Sequence, residues 1–192
     1  MKKRLACLLG SPQQDGNSSA IAGRLCAAAA ARGFEVRRFH LNALSYRGCQ
    51  ACMACKGRSE VCVLQDDLGE VLEAASSADV LILASPVYYG DVSSQLKGFI
   101  DRTYSWLVPD WYGKKHPSRL RSGRAAVWVL CQGFRGEKSF DDIYPRYRRF
   151  FKSYGFDASH LIRQCGSDEK GSTLLRDDAL ARADTLAKVL FG

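Results

Sequence analysis

Four of the eight cysteines of this chain lie within fourteen residues, in the stretch GCQACMACKGRSEVC that begins at Gly48. Two residues separate each of Cys49, Cys52 and Cys55 from the next, and six residues separate Cys55 from Cys62. A C-x2-C-x2-C spacing suits an iron-sulfur cubane held by thiolates, whereas zinc usually takes two separated pairs of ligands. At this point four interpretations stand open: a metal cluster, a disulfide, a redox thiol, or four small buried apolar residues.

Length and composition favour a single cytoplasmic domain. With 192 residues, of which 46% are apolar, the chain can bury about 70% of its unfolded surface. We therefore expect one domain over residues 1–192, with a cysteine-rich insertion at about 48–65. The apolar run Leu5–Leu9 is shorter than the ~7 residues of a signal peptide, and no run approaches the ~18 residues that cross a bilayer. Cytoplasmic cysteines stay reduced unless they bind metal or turn over, which disfavours the disulfide.

The net charge of +8 does not identify a partner by itself. A positive field raises the local concentration of nucleic acids, acidic lipids and phosphorylated small molecules alike. The basic residues are spread along the chain, and the densest run, RYRRFFK at 146–152, has no zinc-finger, RNA-recognition or helix-turn-helix pattern beside it. We therefore expect a solvated helix face there, and neither nucleic acid nor membrane as a partner.

Apolar runs alternate with helical patterns from one end of the chain to the other. This rhythm is typical of a parallel sheet covered by helices on both faces. The predicted strands read RLACLLG, FEVRRFHL, DVLILASP, RAAVWVLCQG and ASHLIRQCG. We predict an α/β fold: a flavodoxin-like, doubly wound, five-stranded parallel sheet of order 2-1-3-4-5. In this scheme Asn17 caps the first helix, Pro86 ends the third strand, and the next helix begins near Val92.

Ligands of such sheets bind at the carboxyl ends of the strands, beside the point where the strand order reverses. Three loops should meet there: 10–19, 85–91 and 131–137. The first, GSPQQDGNSS, contains small residues and hydroxyls but no lysine, so backbone amides and the helix N-terminus could hold a dianion. The second carries Tyr88, Tyr89 and Gly90, and the third has two glycines and Arg135. Together the loops could hold a planar ring with a phosphorylated tail.

The motifs GSPQQDGNSS and SPVYYGDVSSQLKGFIDR, and the cysteine run ending in CVLQDDL, resemble the NADPH-dependent FMN reductase family. Within that family, the iron-sulfur flavoproteins are the most similar branch. The resemblance covers roughly residues 4–135. It implies that FMN phosphate binds to Ser11, Asn17, Ser18 and Ser19, and that the isoalloxazine lies along Pro86, Val87, Tyr88, Tyr89 and Gly90, with Gln132 and Gly133.

By this resemblance the protein is an FMN-dependent oxidoreductase that uses NAD(P)H to reduce flavin or quinone-like acceptors. A flavin brings its own reactivity, so the protein need only orient a hydride donor and tune the ring. We therefore predict no catalytic acid–base residue, and the three histidines are scattered along the chain. Arg135 is our candidate for a positive charge near N1 of the reduced ring.

The resemblance leaves two readings of the cysteine stretch. In one, Cys49, Cys52, Cys55 and Cys62 bind a 4Fe-4S cluster, and the protein is an iron-sulfur flavoprotein that carries electrons from a ferredoxin-like donor to FMN. In the other, these thiols bind nothing, as in plain flavin reductases. A third function, suggested only by the charge, is a non-catalytic flavin-binding or nucleic-acid-associated module. We expect a homodimer or homotetramer, with the aromatic segment 102–113 as a subunit contact or a lid.

Overall fold

A parallel sheet forms the centre of the computed structural model, which describes residues 2–167 and 173–192. Its strands are β1 (Arg4–Leu9), β2 (Glu35–His40), β3 (Val80–Tyr88), β4 (Asp91–Val92), β5 (Ala125–Cys131) and β6 (Ala158–Gln164). The order β2-β1-β3-β5-β6 is parallel throughout, and β4 pairs antiparallel with β3. The predicted flavodoxin-like order is therefore confirmed for the five parallel strands, with β4 as an additional sixth strand.

Helices cover both faces of the sheet. They are α1 (Asn17–Ala31), α2 (Leu68–Ser77), α3 (Ser94–Arg102), α4 (Ile143–Ser153) and α5 (Thr173–Phe191). Helices α1 and α5 pack on one face, over the odd residues of β1 such as Cys7, while α2, α3 and α4 cover the other face around Trp128. Because both faces are covered, all seven residues of β5 are buried, as in a central parallel strand. Among the described residues, no helix combines the length and apolarity that crossing a bilayer requires.

The hairpin between β3 and β4 corrects two sequence-based expectations. Strand β3 does not end at Pro86 but continues to Tyr88, where it turns back and pairs Val87 with Val92. The two turn residues, Tyr89 and Gly90, have φ values of +48° and +76°, and a type I′ hairpin turn needs positive φ at both positions. Because β4 occupies positions 91–92, helix α3 begins at Ser94 rather than near Val92.

The first helix is capped differently from our expectation. Its N-cap residue is Gly16 rather than Asn17, and the cap makes no side-chain hydrogen bond. The Asn17 side chain instead donates from Nδ2 to the carbonyl oxygen of Ser167, 3.3 Å away. This contact draws the segment that follows β6 towards the first loop, so the expected cap residue connects two loops at the same edge of the sheet.

The aromatic segment 102–113 contributes mainly to the core. Trp106 is 5% exposed and packs edge-on against Phe99 and Tyr154, with ring centroids 5.9 Å and 5.4 Å apart. Tyr112, in contrast, is 88% exposed. Core packing therefore accounts for Trp106, and Tyr112 is the residue of this segment that is available for an external contact.

Candidate functional site

A cavity of about 320 Å³ lies at the carboxyl ends of the parallel strands, where the loops that follow β1, β3 and β5 meet. Seven of the eleven residues predicted to bind the flavin line it: Ser11, Asn17, Ser18, Pro86, Val87, Tyr88 and Gly133. The other four, Ser19, Tyr89, Gly90 and Gln132, lie behind or beside the lining residues along the same loops. The three loops that we expected to meet at the carboxyl ends of the strands therefore do lie together.

One end of the cavity is suited to an anion. The first amides of α1 have no acceptor within the helix, and Gly16 provides no side-chain cap. Ser18 is 3% exposed and lines the cavity, and Ser19 is 5% exposed. The Ser19 hydroxyl has no hydrogen-bond partner among the described residues. Leaving a buried hydroxyl unpaired costs about 1–3 kcal/mol, and Ser19, next to the lining residue Ser18, has such a hydroxyl.

No charged side chain lines this cavity in the described part of the chain. A dianion there would be held by backbone amides, by hydroxyls and by the positive end of the α1 dipole. This arrangement matches the composition of the first loop, which contains no lysine. Arg135, our candidate for a charge near the ring, is exposed and lies outside the lining.

The opposite end of the cavity is formed by the β3–β4 hairpin and by the loop after β5. Tyr88 is 50% exposed and Phe134 is 67% exposed, so two aromatic side chains flank the opening. Gly90 has a specific steric role, because a Cβ at this position would lie 3.3 Å from the ring of Phe140. Phe140 in turn packs edge-on against Phe134, with ring centroids 5.6 Å apart. The hairpin therefore supports the aromatic wall.

Gln132 shapes the third loop through its side chain. It is 1% exposed, and its Nε2 donates to the carbonyl oxygens of Phe134 at 2.9 Å and Gly136 at 3.1 Å. Its Oε1 accepts from Nε of Arg163 at 2.9 Å. The Gln132 side chain is thus engaged in holding the loop that presents Gly133.

Sequence reasoning missed several residues of this cavity. Gln13, Phe134 and Ser167 belong to the lining, and Arg163 supports it through Gln132. Ser167 follows β6, and the carboxyl-end rule that selected the other three loops could also have selected this one. For Arg163 there was no signal, because its partner lies 31 residues earlier in the chain.

The four clustered cysteines line a second, smaller cavity of about 30 Å³. The backbone that carries them includes two non-glycine residues in the left-handed region, Ala51 with φ +52° and Met53 with φ +55°. Each such residue costs on the order of 1–3 kcal/mol and is typical of functional sites, where surrounding contacts hold the strained conformation. The cysteine stretch is therefore a loop whose backbone is held in a strained conformation at Ala51 and Met53.

The geometry of the four thiols bears on which ligand, if any, the cysteine stretch could bind. All eight cysteines lie in the described part of the chain and are free thiols there. Within the described residues, no three ligating side chains converge on a single-ion site. Thiolates around one zinc would lie about 3.8 Å apart, given a Zn–S bond of about 2.3 Å. The thiolates of a cubane bind four different irons and lie farther apart, so a 4Fe-4S cluster and unliganded thiols both remain as interpretations of this cavity.

Arg102 is the cation most deeply buried beside these cysteines. Its side chain is fully buried at the end of α3, lines the same cavity, and forms an ion pair with Asp66 at 2.6 Å. It also donates to the carbonyl oxygens of Arg47 at 3.3 Å and Leu64 at 3.2 Å. These contacts hold the residues on either side of the cysteine stretch against the last residue of α3.

One further cation, Lys56, lies within the stretch, and another, Arg119, lies beside it. Lys56 donates from Nζ to the carbonyl oxygen of Leu107 at 2.7 Å and lies 4.0 Å from the centre of the Tyr104 ring. Burial lowers the pKa of Lys56, and the nearby Arg119 adds to this effect while Cys55 opposes it. Arg119 donates to the carbonyl oxygen of Cys55 at 3.1 Å. Positive charge thus surrounds a site at which several thiolates would carry negative charge.

The Asp66–Arg102 ion pair makes the stability of the fold depend on pH. Burial would raise the pKa of Asp66, but hydrogen bonds from Arg102 and from the backbone of Arg47 and Leu68 outweigh burial and lower it. The pKa in the folded state therefore lies below the unfolded value of about 3.9. The contribution of the pair to stability is complete above about pH 4 and is lost as the pH falls through the folded pKa.

We predict that Asp66→Asn lowers the free energy of unfolding by about 3 kcal/mol at pH 7, because it leaves the Arg102 charge buried and unpaired. Urea denaturation between pH 7 and pH 2 measures the difference from the unaltered protein, which should shrink below about pH 4. Asp184→Asn, which removes an exposed pair with Arg24, is the matched control and should have little effect. A deficit in Asp66→Asn that stays constant across the pH range would contradict the assignment.

Comparison with known proteins identifies the family to which the chain is similar. The profile of the family described as NADPH-dependent FMN reductase matches residues 3–132, or 130 of the 192 residues. An iron-sulfur flavoprotein of Archaeoglobus fulgidus is 39% identical over 120 residues, which cover 62% of this chain and 51% of that protein. The chain spans about half the length of the curated relatives that it matches.

Solved structures show the same fold. The NAD(P)H:quinone oxidoreductase from Methanothermobacter marburgensis superposes with a TM-score of 0.75 at 18% identity, over 100% of this chain and 98% of that one. The FMN-dependent NADH-azoreductase of Bacillus anthracis, solved in complex with FMN, gives a TM-score of 0.73 at 11% identity, over 99% and 100% of the two chains. The family match and the curated relatives confirm the resemblance drawn from the motifs, and the chain belongs to the NADPH-dependent FMN reductase family.

Proposed function

We propose that the protein is an FMN-dependent oxidoreductase that uses NAD(P)H to reduce flavin or quinone-like acceptors. The observation that carries this proposal is the cavity at the carboxyl ends of the strands, which has the uncapped first turn of α1 at one end and aromatic side chains at the other. Membership of the NADPH-dependent FMN reductase family supports it. The name of the azoreductase with the same fold also points to FMN.

Different residues of the cavity would bind the phosphate and the ring of FMN. Ser11, Asn17, Ser18 and Ser19, with the amides that begin α1, would bind the phosphate without a counter-charge. The strand end Pro86–Gly90 and Gly133 would lie along the isoalloxazine, and Tyr88 and Phe134 would flank the open side at which a nicotinamide enters. Bound FMN supplies hydride and electron transfer, so the chain needs to provide only position, shielding and electrostatics.

We predict that replacing Asn17 and Ser18 together by alanine weakens FMN binding by about ten- to a hundredfold, since hydrogen bonds to a charged group contribute about 1.5–3 kcal/mol. Riboflavin, which lacks the phosphate, should lose no more than about twofold by the same reasoning. Flavin fluorescence quenching in parallel titrations measures both affinities. Ser153→Ala, at the end of α4 on the opposite edge of the sheet, is the control and should change neither. Equal weakening of both ligands would mean that the phosphate binds elsewhere.

A second candidate function is that of an iron-sulfur flavoprotein, which passes single electrons between a 4Fe-4S cluster and FMN. Its specific support is the cysteine cavity, which all four cysteines line on a loop with a strained backbone and with cations beside it. Cys49, Cys52, Cys55 and Cys62 would hold the cluster. When bound, a cluster supplies one-electron transfer, and a ferredoxin-like protein is the donor that we propose for it.

For this second function we predict about four iron atoms and four acid-labile sulfides per chain after anaerobic purification. Cys52→Ser should lose both, because the cluster needs all four thiolates. Cys165→Ser removes a free, partly exposed thiol outside the stretch and should retain the full content. Less than one iron per chain in the unaltered protein, together with unimpaired NAD(P)H-driven flavin reduction in Cys52→Ser, would leave only the first function.

We further propose that the chain forms a single domain that acts in the cytoplasm as a homodimer or homotetramer. The eight free thiols fit a reducing compartment. The exposed side chains of Tyr112 and Val61 are candidates for the subunit contact. We do not propose the non-catalytic or nucleic-acid-associated module, because the flavin cavity and the family account for the chain without it.

A further inference from the structure

A further cavity lies at the amino ends of β5 and β6, on the edge of the sheet opposite the candidate flavin cavity. Its volume is about 510 Å³, and its lining includes Ser122, shortly before β5, and Asp157, directly before β6. Among the described residues, it shares no lining residue with the flavin cavity or with the cysteine cavity. This basic cavity, as we call it, is lined by five basic residues: Lys114, Lys115, His116, Arg149 and Lys152.

The positive charge of the basic cavity is not neutralised by the described part of the protein. In residues 2–167 and 173–192, none of the three lysines and the arginine of its lining forms an ion pair. Lys114 donates from Nζ to the carbonyl oxygen of Pro109 at 2.7 Å, a neutral acceptor that leaves the charge in place. Asp157 is the one carboxylate among the described lining residues, and its Oδ2 accepts from the backbone amide of Gly123 at 2.6 Å. The cavity therefore carries an excess of positive charge.

The cations come from two segments that are far apart in the sequence. Arg149 and Lys152 belong to the C-terminal half of α4, and Lys152 lies in its last turn, where a cation interacts favourably with the helix dipole. The dipole does not account for Lys114 and Lys115, which belong to the loop before β5. Like charges repel one another, so this convergence costs free energy that a bound anion would recover.

Both segments are held in place by contacts with a buried residue or within the backbone. Arg124 is 1% exposed and donates from Nη2 to the carbonyl oxygen of Tyr154 at 2.9 Å, directly after α4, and from Nε to that of Arg121 at 3.0 Å. It thereby joins the end of α4 to the segment before β5. The loop that carries the two lysines is closed by a hydrogen bond from the amide of Val108 to the carbonyl oxygen of Pro117, 2.9 Å away. The backbone around the cavity is therefore preorganised, which lowers the entropy cost of binding.

The chemistry of the lining indicates the class of ligand. A volume of about 510 Å³ lies within the range of about 300–1,000 Å³ that small-molecule sites occupy. Lysine binds phosphate as a point charge, and arginine can bind it through two parallel hydrogen bonds. One phosphate group carries a charge of about −1.5 to −2 at pH 7, so four cations offset by Asp157 can neutralise more than one. Pro117 and Leu120 add an apolar part to the lining.

We propose that the basic cavity is a binding site for a small molecule that carries two or more linked phosphate groups. The four cations of the lining would contact the phosphate oxygens, and Pro117 and Leu120 would contact the rest of the molecule. A nucleic acid needs cations that extend along its backbone, whereas these cations lie around one concave site. The proposal does not rest on the flavin function, because the two cavities lie at opposite edges of the sheet.

The probe for this site is inorganic tripolyphosphate, and isothermal titration calorimetry at about 0.15 M salt measures its binding to the unaltered chain. We expect one site per chain, with an affinity that falls from tripolyphosphate through pyrophosphate to phosphate. Replacing Lys115 and Lys152 together by glutamine removes one cation from each segment and should weaken tripolyphosphate binding by about tenfold. Equal affinities for tripolyphosphate and phosphate would overturn the proposal.

The matched control is the double variant Lys138→Gln with Lys188→Gln. It removes the same charge from two exposed residues outside the basic cavity and should change the affinity for tripolyphosphate by less than about twofold. Equal weakening in the two double variants would reveal a general attraction to the net charge of +8 and would overturn the proposal.

A second measurement needs no variant. In ¹H–¹⁵N spectra of the unaltered chain, tripolyphosphate should shift the amides of residues 114–116, 118 and 152–155 most strongly. The largest shifts at residues 11–19 would mean that the probe occupies the candidate site of the FMN phosphate, and an absence of shifts would mean that it does not bind; either result overturns the proposal. A short DNA duplex that binds more tightly and shifts the same amides would make the cavity part of a nucleic-acid surface and overturn it as well. None of these results decides the flavin function, which FMN titration tests separately.

Discussion

The parallel pairing of β1 with β3 is the constraint on which the rest of the molecule depends. At this pair the sheet grows in opposite directions, towards β2 on one side and towards β5 and β6 on the other. The loops that leave β1 and β3 therefore diverge and leave a gap between them. Gly10 marks the tight point of this gap, because a Cβ there would lie 2.8 Å from the hydroxyl of Ser93 and 3.2 Å from the carbonyl oxygen of Ala84. The cavity at the carboxyl ends of the strands begins beside it, at Ser11.

Helix α3 connects the two candidate sites. Its N-cap, Ser93, donates to the carbonyl oxygen of Gly10 at 2.7 Å and so contacts the loop that follows β1. Its last residue, Arg102, belongs to the cysteine cavity. Nine helical residues span about 13 Å at 1.5 Å per residue, so one rigid element fixes the separation of the two sites. The ion pair with Asp66 then holds the cysteine stretch to the far end of this helix.

Much of this could be predicted from the sequence, because the informative patterns are local. Runs such as VLILAS identify buried parallel strands, and the strand–loop–helix rhythm determines which loops share an edge. The β3–β4 hairpin could not be predicted, since Tyr-Gly lacks the Asn-Gly signal of a type I′ turn and Tyr89 adopts positive φ only in its tertiary setting. The burial of Arg102 could not be predicted from the sequence either. A basic residue at the end of a helix is usually solvated, and the pairing partner Asp66 lies 36 residues away.

We propose that the cofactor binds in the cavity at the carboxyl ends of the strands. A ¹H–¹⁵N NMR titration of the 21.2 kDa chain with FMN tests this most directly. We predict that the largest shifts fall on the amides of residues 11–19, 87–90 and 133–134, with the amides of 16–19 responding to FMN but much less to riboflavin. Shifts confined to the cysteine stretch or to the opposite edge of the sheet, around 114–122, would contradict it.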